Sequence, residues 1–103
     1  MEKIKIENIL DKIGIEIDLI GYKYWTTAVE LYMKKDRVKM SELYFRIAQK
    51  YNTTSVRVER ALRHAHEKHE EKIIEYFNVD YKMTNKKVLE LIAREVGRET
   101  WKN

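Results

Sequence analysis

The chain has 103 residues, enough for one ordinary domain with a single hydrophobic core. Hydrophobic residues make up 44% of it and charged residues 37%, a balance that excludes a membrane protein and a disordered chain of low hydrophobicity. It has no cysteine, which excludes disulfides, thiolate nucleophiles and cysteine-based zinc sites and predicts a reducing, cytoplasmic location.

The balance of charge is basic. Lys and Arg number 21 against 17 Asp and Glu, which leaves a net charge of +4. This excess suits a polyanionic partner without requiring one, so the placement of the basic residues must decide. No apolar stretch is long enough for a signal peptide or a membrane span, and we expect no membrane partner.

Apolar residues recur at intervals of three and four, without sustained alternation of period two, so the sequence predicts an all-α domain. The first predicted helix is closed by Gly14, which can adopt a left-handed conformation. A connector over 15–21 precedes the second helix, predicted from Tyr22 to about Lys35. The aromatic residues are expected in the core or at an interface rather than as base-stacking platforms. They include Tyr22, Tyr24, Trp25, Tyr32 and Trp101.

Four further helices follow. Ser41 is a candidate N-cap for the third helix, since its hydroxyl can accept from a free backbone N–H. Thr53 or Thr54 caps the fourth helix, and a short fifth helix covers Ile73, Ile74 and Phe77. Thr84 or Asn85 caps the sixth, which we expect to end near Gly97. Short connections between six helices predict one compact bundle over 1–103.

The third and fourth helices have the spacing of a helix-turn-helix, predicted over about 41–69. Such units need a small residue where the helices cross, a tight-turn residue four places later and a branched apolar residue six places beyond. Ala48, Asn52 and Val58 meet this spacing. An ordinary pair of packed helices also accommodates these residues, so spacing alone does not decide between the two.

The outward face of the fourth helix favours DNA binding. It carries Arg57, Glu59, Arg60 and Arg63 near its N-terminal half, the part that meets base edges when such a helix docks. Arg can donate two hydrogen bonds to guanine, and an unpaired Glu can accept from the amino group of cytosine. The alternative is a solvated face on which Arg and Glu pair across one turn.

Longer segments make the comparison specific. They are Tyr51-Asn52-Thr53-Thr54, Arg57-Val58-Glu59-Arg60-Ala61, Arg63-His64-Ala65, Ile13-Gly14-Ile15, Ile20-Gly21-Tyr22-Lys23-Tyr24, Ile47-Ala48-Gln49-Lys50 and Thr84-Asn85. Together they resemble the C-terminal DNA-binding (effector) domain of stage zero sporulation protein A, the response regulator that initiates endospore formation. The resemblance spans nearly the whole chain and implies a six-helix domain with a helix-turn-helix in its third and fourth helices.

The resemblance also implies a function: sequence-specific binding of double-stranded DNA to regulate transcription, without a cofactor. It places Arg57, Glu59 and Arg60 at the bases. At the DNA backbone it places a second set, which comprises Lys50, Thr54, Ser55, Arg63, His64 and Asn85. Further implied partners are a second copy bound in tandem as a homodimer on DNA, and RNA polymerase.

This sequence departs from the family pattern in several places. We expect no receiver domain before this segment, and therefore control by expression or by a partner instead of phosphorylation. Tyr44-Phe45 and Met83-Thr84 stand where the family commonly has Tyr-Pro and Pro-Thr. Val56 replaces a small polar residue beside the reading arginine. These differences bear on the target sequence more than on the fold.

Other functions have weaker support. His64, His66 and His69 do not complete a tetrahedral metal site, so we expect no metal. An enzyme is not indicated, because no cysteine, Gly-rich phosphate loop or serine nucleophile turn is present. The main rival is a helical protein-interaction module that modulates a related full-length regulator. Salt dependence separates the two, since phosphate binding weakens steeply with added salt.

Overall fold

The computed structural model describes residues 2–16, 20–34 and 38–102, which form six helices and, within these ranges, no strand. The helices are α1 (Glu2–Lys12), α2 (Ile20–Lys34), α3 (Met40–Lys50), α4 (Ser55–Glu67), α5 (Glu70–Phe77) and α6 (Asn85–Lys102). They enclose one hydrophobic core, and the Cα radius of gyration is 12.7 Å. The predicted all-α, six-helix domain is confirmed.

Helix α2 lies at the centre of the bundle and packs against α1, α3, α4 and α6. Trp25, only 1% exposed, donates its indole N–H to the backbone carbonyl of Leu62 on α4 over 3.1 Å. A buried indole N–H needs such an acceptor, so this bond ties α2 to α4. The predicted burial of Tyr22, Tyr24 and Trp25 is confirmed, whereas the side chain of Trp101 lies outside the described residues.

The start of α2 touches α4 closely at Gly21. A Cβ atom at Gly21 would lie 2.8 Å from the Cβ of Ala65 and 3.1 Å from the carbonyl oxygen of Ala61. The expectation that 15–21 is a connector is therefore wrong at its end, because α2 begins at Ile20 and not at Tyr22. Packing against the small residues of α4 offsets the poor helix propensity of glycine, which local sequence reasoning counts against a helix.

Two of the predicted helix ends are confirmed and two are wrong. Gly14 has a φ of 90°, as expected for a residue that closes α1. The Thr84 hydroxyl accepts from the Lys87 backbone N–H over 3.2 Å, as an N-cap does. Ser41 is not the N-cap of α3: Lys39 holds that position without a side-chain hydrogen bond. Gly97 does not end α6, since a glycine in a helix costs only ~1 kcal/mol and nothing further breaks the helix.

No described helix combines the length and the apolar character that crossing a membrane would require.

Candidate nucleic-acid interface

Helices α3 and α4 are joined by the short turn 51–54. Asn52 has a φ of 52°, in the left-handed region that asparagine tolerates better than most residues. The backbone N–H of Thr53 donates to the carbonyl of Ala48 over 2.9 Å, and the Thr54 hydroxyl caps α4 by accepting from the N–H of Arg57 over 3.2 Å. Ala48 and Val58 are both buried, as their predicted places require, and this geometry is consistent with a helix-turn-helix.

Helix α4 has a buried stripe and an exposed side. The stripe comprises Val58, Leu62, Ala65 and His66, which face α2, α3 and α6. Arg60 projects from the opposite side, because it lies roughly 200° from Val58 at 100° per residue. Arg57 and His64 are also exposed and lie on the flank towards the start of α2.

This flank of α4 continues into a groove against α2. Arg57, Arg60, His64 and Lys68 supply its basic rim, and its apolar floor includes Ala61 and the exposed side chain of Ile20. Among the residues that the structure describes, neither Arg57 nor Arg60 forms an ion pair. Both residues are exposed, and within the described ranges no carboxylate neutralises their charge.

The other flank of α4 carries an ion pair. Arg63 donates to the Glu59 carboxylate from Nε over 3.0 Å and from Nη2 over 3.4 Å. In the free protein Glu59 is thus paired across one turn, and it is not the unpaired carboxylate that base reading requires. Its partner lies one turn further along the same helix, where such pairs form readily. At this exposure the pair contributes little to stability, so both groups can exchange partners.

Lys50 lies at the C-terminal end of α3, beside the turn. Its ammonium nitrogen is 5.5 Å from the centre of the Tyr51 ring, and that of Lys23 on α2 is 4.8 Å from the same ring. The Tyr51 and Thr27 hydroxyls hydrogen-bond over 2.7 Å and fix the ring. Two lysines therefore gather at this end of the turn. Sequence reasoning missed Lys23, because only packing brings α2 to this place.

Asn85 lies inside the molecule and not at the surface expected of a phosphate contact. Its side-chain amide, 7% exposed, donates to the Glu59 backbone carbonyl over 3.2 Å and to the Tyr44 hydroxyl over 3.1 Å. The carbonyl can only accept, so the amide nitrogen faces it and the amide oxygen accepts from Nε2–H of His66 over 2.9 Å. No side-chain donor of Asn85 remains for a phosphate. The residue instead hydrogen-bonds to α4 from the interior of the domain.

His66 is buried in this network. Burial lowers the pKa of its imidazole below the ordinary 6.5, and the hydrogen bond that it donates to the Asn85 amide oxygen opposes that change only in part. The Nδ1 atom of His66 is buried and, among the described residues, has no hydrogen-bond partner. These observations describe a neutral imidazole in the interior. Over the part of the chain that is described, no three His, Cys, Asp or Glu side chains are grouped as metal ligands.

Residues 6–96 match the family described as sporulation initiation factor Spo0A, C terminal. The chain belongs to this family. The Spo0A C-terminal family is the DNA-binding effector domain of a sporulation transcription factor and not an enzyme family. The resemblance found in the sequence is thereby confirmed, and the match includes the whole of α2 to α5.

Proposed function

We propose that this chain binds double-stranded DNA sequence-specifically and that α4 is the recognition helix in the major groove. The exposed side of α4 carries the proposal, because Arg57 and Arg60 project from it and, among the described residues, form no ion pair. The planar donors of an arginine match the N7 and O6 acceptors of guanine. A major groove about 12 Å wide admits one such helix.

The surroundings of α4 supply phosphate contacts. Thr54 and Ser55 lie at its N-terminus, where free backbone N–H groups and the helix dipole favour an anion. Lys50 extends from the end of α3, and His64 lies exposed on the flank of α4. Contacts of this kind set the register of a protein on DNA, while base contacts set its specificity.

The ion pair between Glu59 and Arg63 is weak enough to open when α4 binds DNA. A surface pair one turn apart contributes only ~0.3 to 0.5 kcal/mol, so opening it on DNA costs little. The Glu59 carboxylate can then accept from a cytosine amino group while Arg63 turns to a phosphate. In the free protein the pair holds the carboxylate on the flank of α4 opposite the α2 groove.

The proposal extends to the assembly at promoters. Two copies bind neighbouring boxes in tandem, with one α4 in each major groove, and contact RNA polymerase. Membership of a transcription-factor family is what supports this part. A monomer bound to a single isolated box would contradict it.

The test is a selection of bound sequences from random synthetic duplexes, run in parallel with wild type, Arg60→Ala and Arg98→Ala. Arg98 is the matched control, an exposed arginine on α6. We expect wild type and Arg98→Ala to select one sharp motif. Arg60→Ala should lose a guanine contact of ~1 to 3 kcal/mol and blur the motif at that base.

Two other outcomes contradict parts of the proposal. If Arg60→Ala weakens binding to selected and random DNA equally, Arg60 does not read a base. If wild type enriches no sequence, sequence-specific binding is refuted and the helical protein-interaction module becomes the better description of this chain.

A further inference from the structure

Val56 is an apolar residue in a polar neighbourhood. It lies in the first turn of α4 and is 58% exposed. Of the large hydrophobic residues that are exposed in the described ranges, Val56 alone belongs to α4. It makes no part of the core, and valine is a weaker helix former than the polar residues that usually cover a helix surface. Folding therefore gives no reason for a valine here.

The position of Val56 gives it polar neighbours that we assign to base reading. Glu59 and Arg60 follow it by three and four residues, and side chains at these intervals are adjacent on a helix surface. Val56 also precedes both of them at the end of α4 that enters the groove first. A major groove that receives Arg60 would therefore also receive Val56.

Base edges in the major groove are polar except at one group, the 5-methyl of thymine. We propose that Val56 contacts the 5-methyl group of a thymine and makes this chain prefer thymine at one position of its target. This inference rests on the proposed function, because Val56 meets base edges only if α4 enters the major groove. A β-branched side chain keeps one dominant χ1 rotamer in a helix, so its methyl groups are held in a fixed direction.

The geometry of the helix limits how far this thymine can lie from the guanine that Arg60 reads. Four residues of α-helix span about 6 Å along the axis, and successive bases of one strand are about 3.4 Å apart. The thymine should therefore lie within about two base pairs of the guanine that Arg60 reads. That guanine is identified independently as the position blurred by Arg60→Ala.

The experiment removes the methyl group from the DNA and the side chain from the protein. Thymines of the selected duplex are replaced one at a time by deoxyuridine, which pairs in the same way and lacks only the 5-methyl group. The duplexes are synthetic and carry unmethylated cytosine, so thymine is the single source of that group. Binding is measured for wild type, Val56→Ala and Ile4→Ala, the last as a control with a 57% exposed β-branched residue on α1.

We expect wild type and Ile4→Ala to lose about three- to fourfold in affinity at one thymine near the Arg60 guanine, equivalent to ~0.8 kcal/mol for one apolar carbon. Val56→Ala should bind the thymine duplex with a similar loss and respond no further to deoxyuridine there. Val56→Thr, which keeps a methyl group and the branched Cβ, should retain part of the sensitivity.

Each contrary result has a distinct meaning. If Val56→Ala remains as sensitive to deoxyuridine as wild type, or if wild type responds at no position near the Arg60 guanine, the thymine contact is overturned while sequence-specific binding stands. If wild type selects no duplex at all, the proposed function fails first and takes this inference with it. Melting curves of each variant are recorded to check that it is folded.

Discussion

Gly21 and Gly97 give a test in which one substitution has opposite effects at two helical positions. A Cβ atom at Gly21 would meet the Cβ of Ala65 at 2.8 Å and the carbonyl oxygen of Ala61 at 3.1 Å, whereas at Gly97 it would meet nothing within 4 Å. Neither glycine has a positive φ, so alanine suits both backbones. We expect Gly21→Ala to destabilise the protein and Gly97→Ala to stabilise it.

The magnitudes follow from packing and helix propensity. Overpacking costs ~1 to 3 kcal/mol, and the neighbours of Gly21 are a Cβ and a backbone oxygen, which cannot rotate away. Replacing glycine by alanine in a helix returns at most ~1 kcal/mol. The net loss for Gly21→Ala is then up to about 2 kcal/mol, or up to roughly 16 °C in Tm for a domain of this size. Gly97→Ala should raise Tm by roughly 2 to 8 °C.

Thermal and urea unfolding of both variants measure these changes. Ala65→Gly removes the opposing Cβ atom, so the double variant with Gly21→Ala should be less destabilised than the sum of the single variants. An increase of Tm in Gly21→Ala equal to that in Gly97→Ala would refute the close approach of α2 to α4. Strictly additive stability changes for Gly21→Ala and Ala65→Gly in the double variant would refute it as well.

Three further outcomes are expected. Asn85→Ala leaves buried hydrogen-bonding groups without partners and should cost ~1 to 3 kcal/mol in urea unfolding, against at most about 0.5 kcal/mol for the exposed neighbour in Lys86→Ala. Burial lowers the pKa of His66 in the folded protein. Between that lowered pKa and the ordinary 6.5, the unfolded chain therefore binds more protons than the folded chain does. The free energy of unfolding should fall as the pH is lowered through this range. His66→Gln should flatten this pH dependence of unfolding, while His64→Gln, at an exposed histidine, should leave it unchanged. If the slope of stability against pH is unchanged in His66→Gln, the pH dependence does not come from His66. Lys50→Ala should weaken binding to selected and random duplexes alike and reduce the slope of log affinity against log salt by about 0.9, and a loss confined to the selected duplex would argue against a phosphate contact.

Local signals in the sequence predicted the turn between α3 and α4. Ala48, Asn52 and Val58 have side chains and backbone preferences that suit only certain places in a tight helix pair, and the structure puts them there. Thr54 is recognisable as a cap for the same reason. The same local reasoning was wrong at Ser41 and Gly97, because caps and glycines are weak signals when neighbouring helices decide where a helix begins and ends.

The sequence by itself determined the helical content, the position of the turn and the exposed face of α4 that carries Arg57 and Arg60, since periodicity and turn chemistry act over a few residues. The tertiary structure alone decided what lies around that face. The contact of Gly21 with α4 and the burial of Asn85 beneath Glu59 join residues far apart in the chain. Such contacts depend on how whole helices pack, and no local pattern encodes that packing.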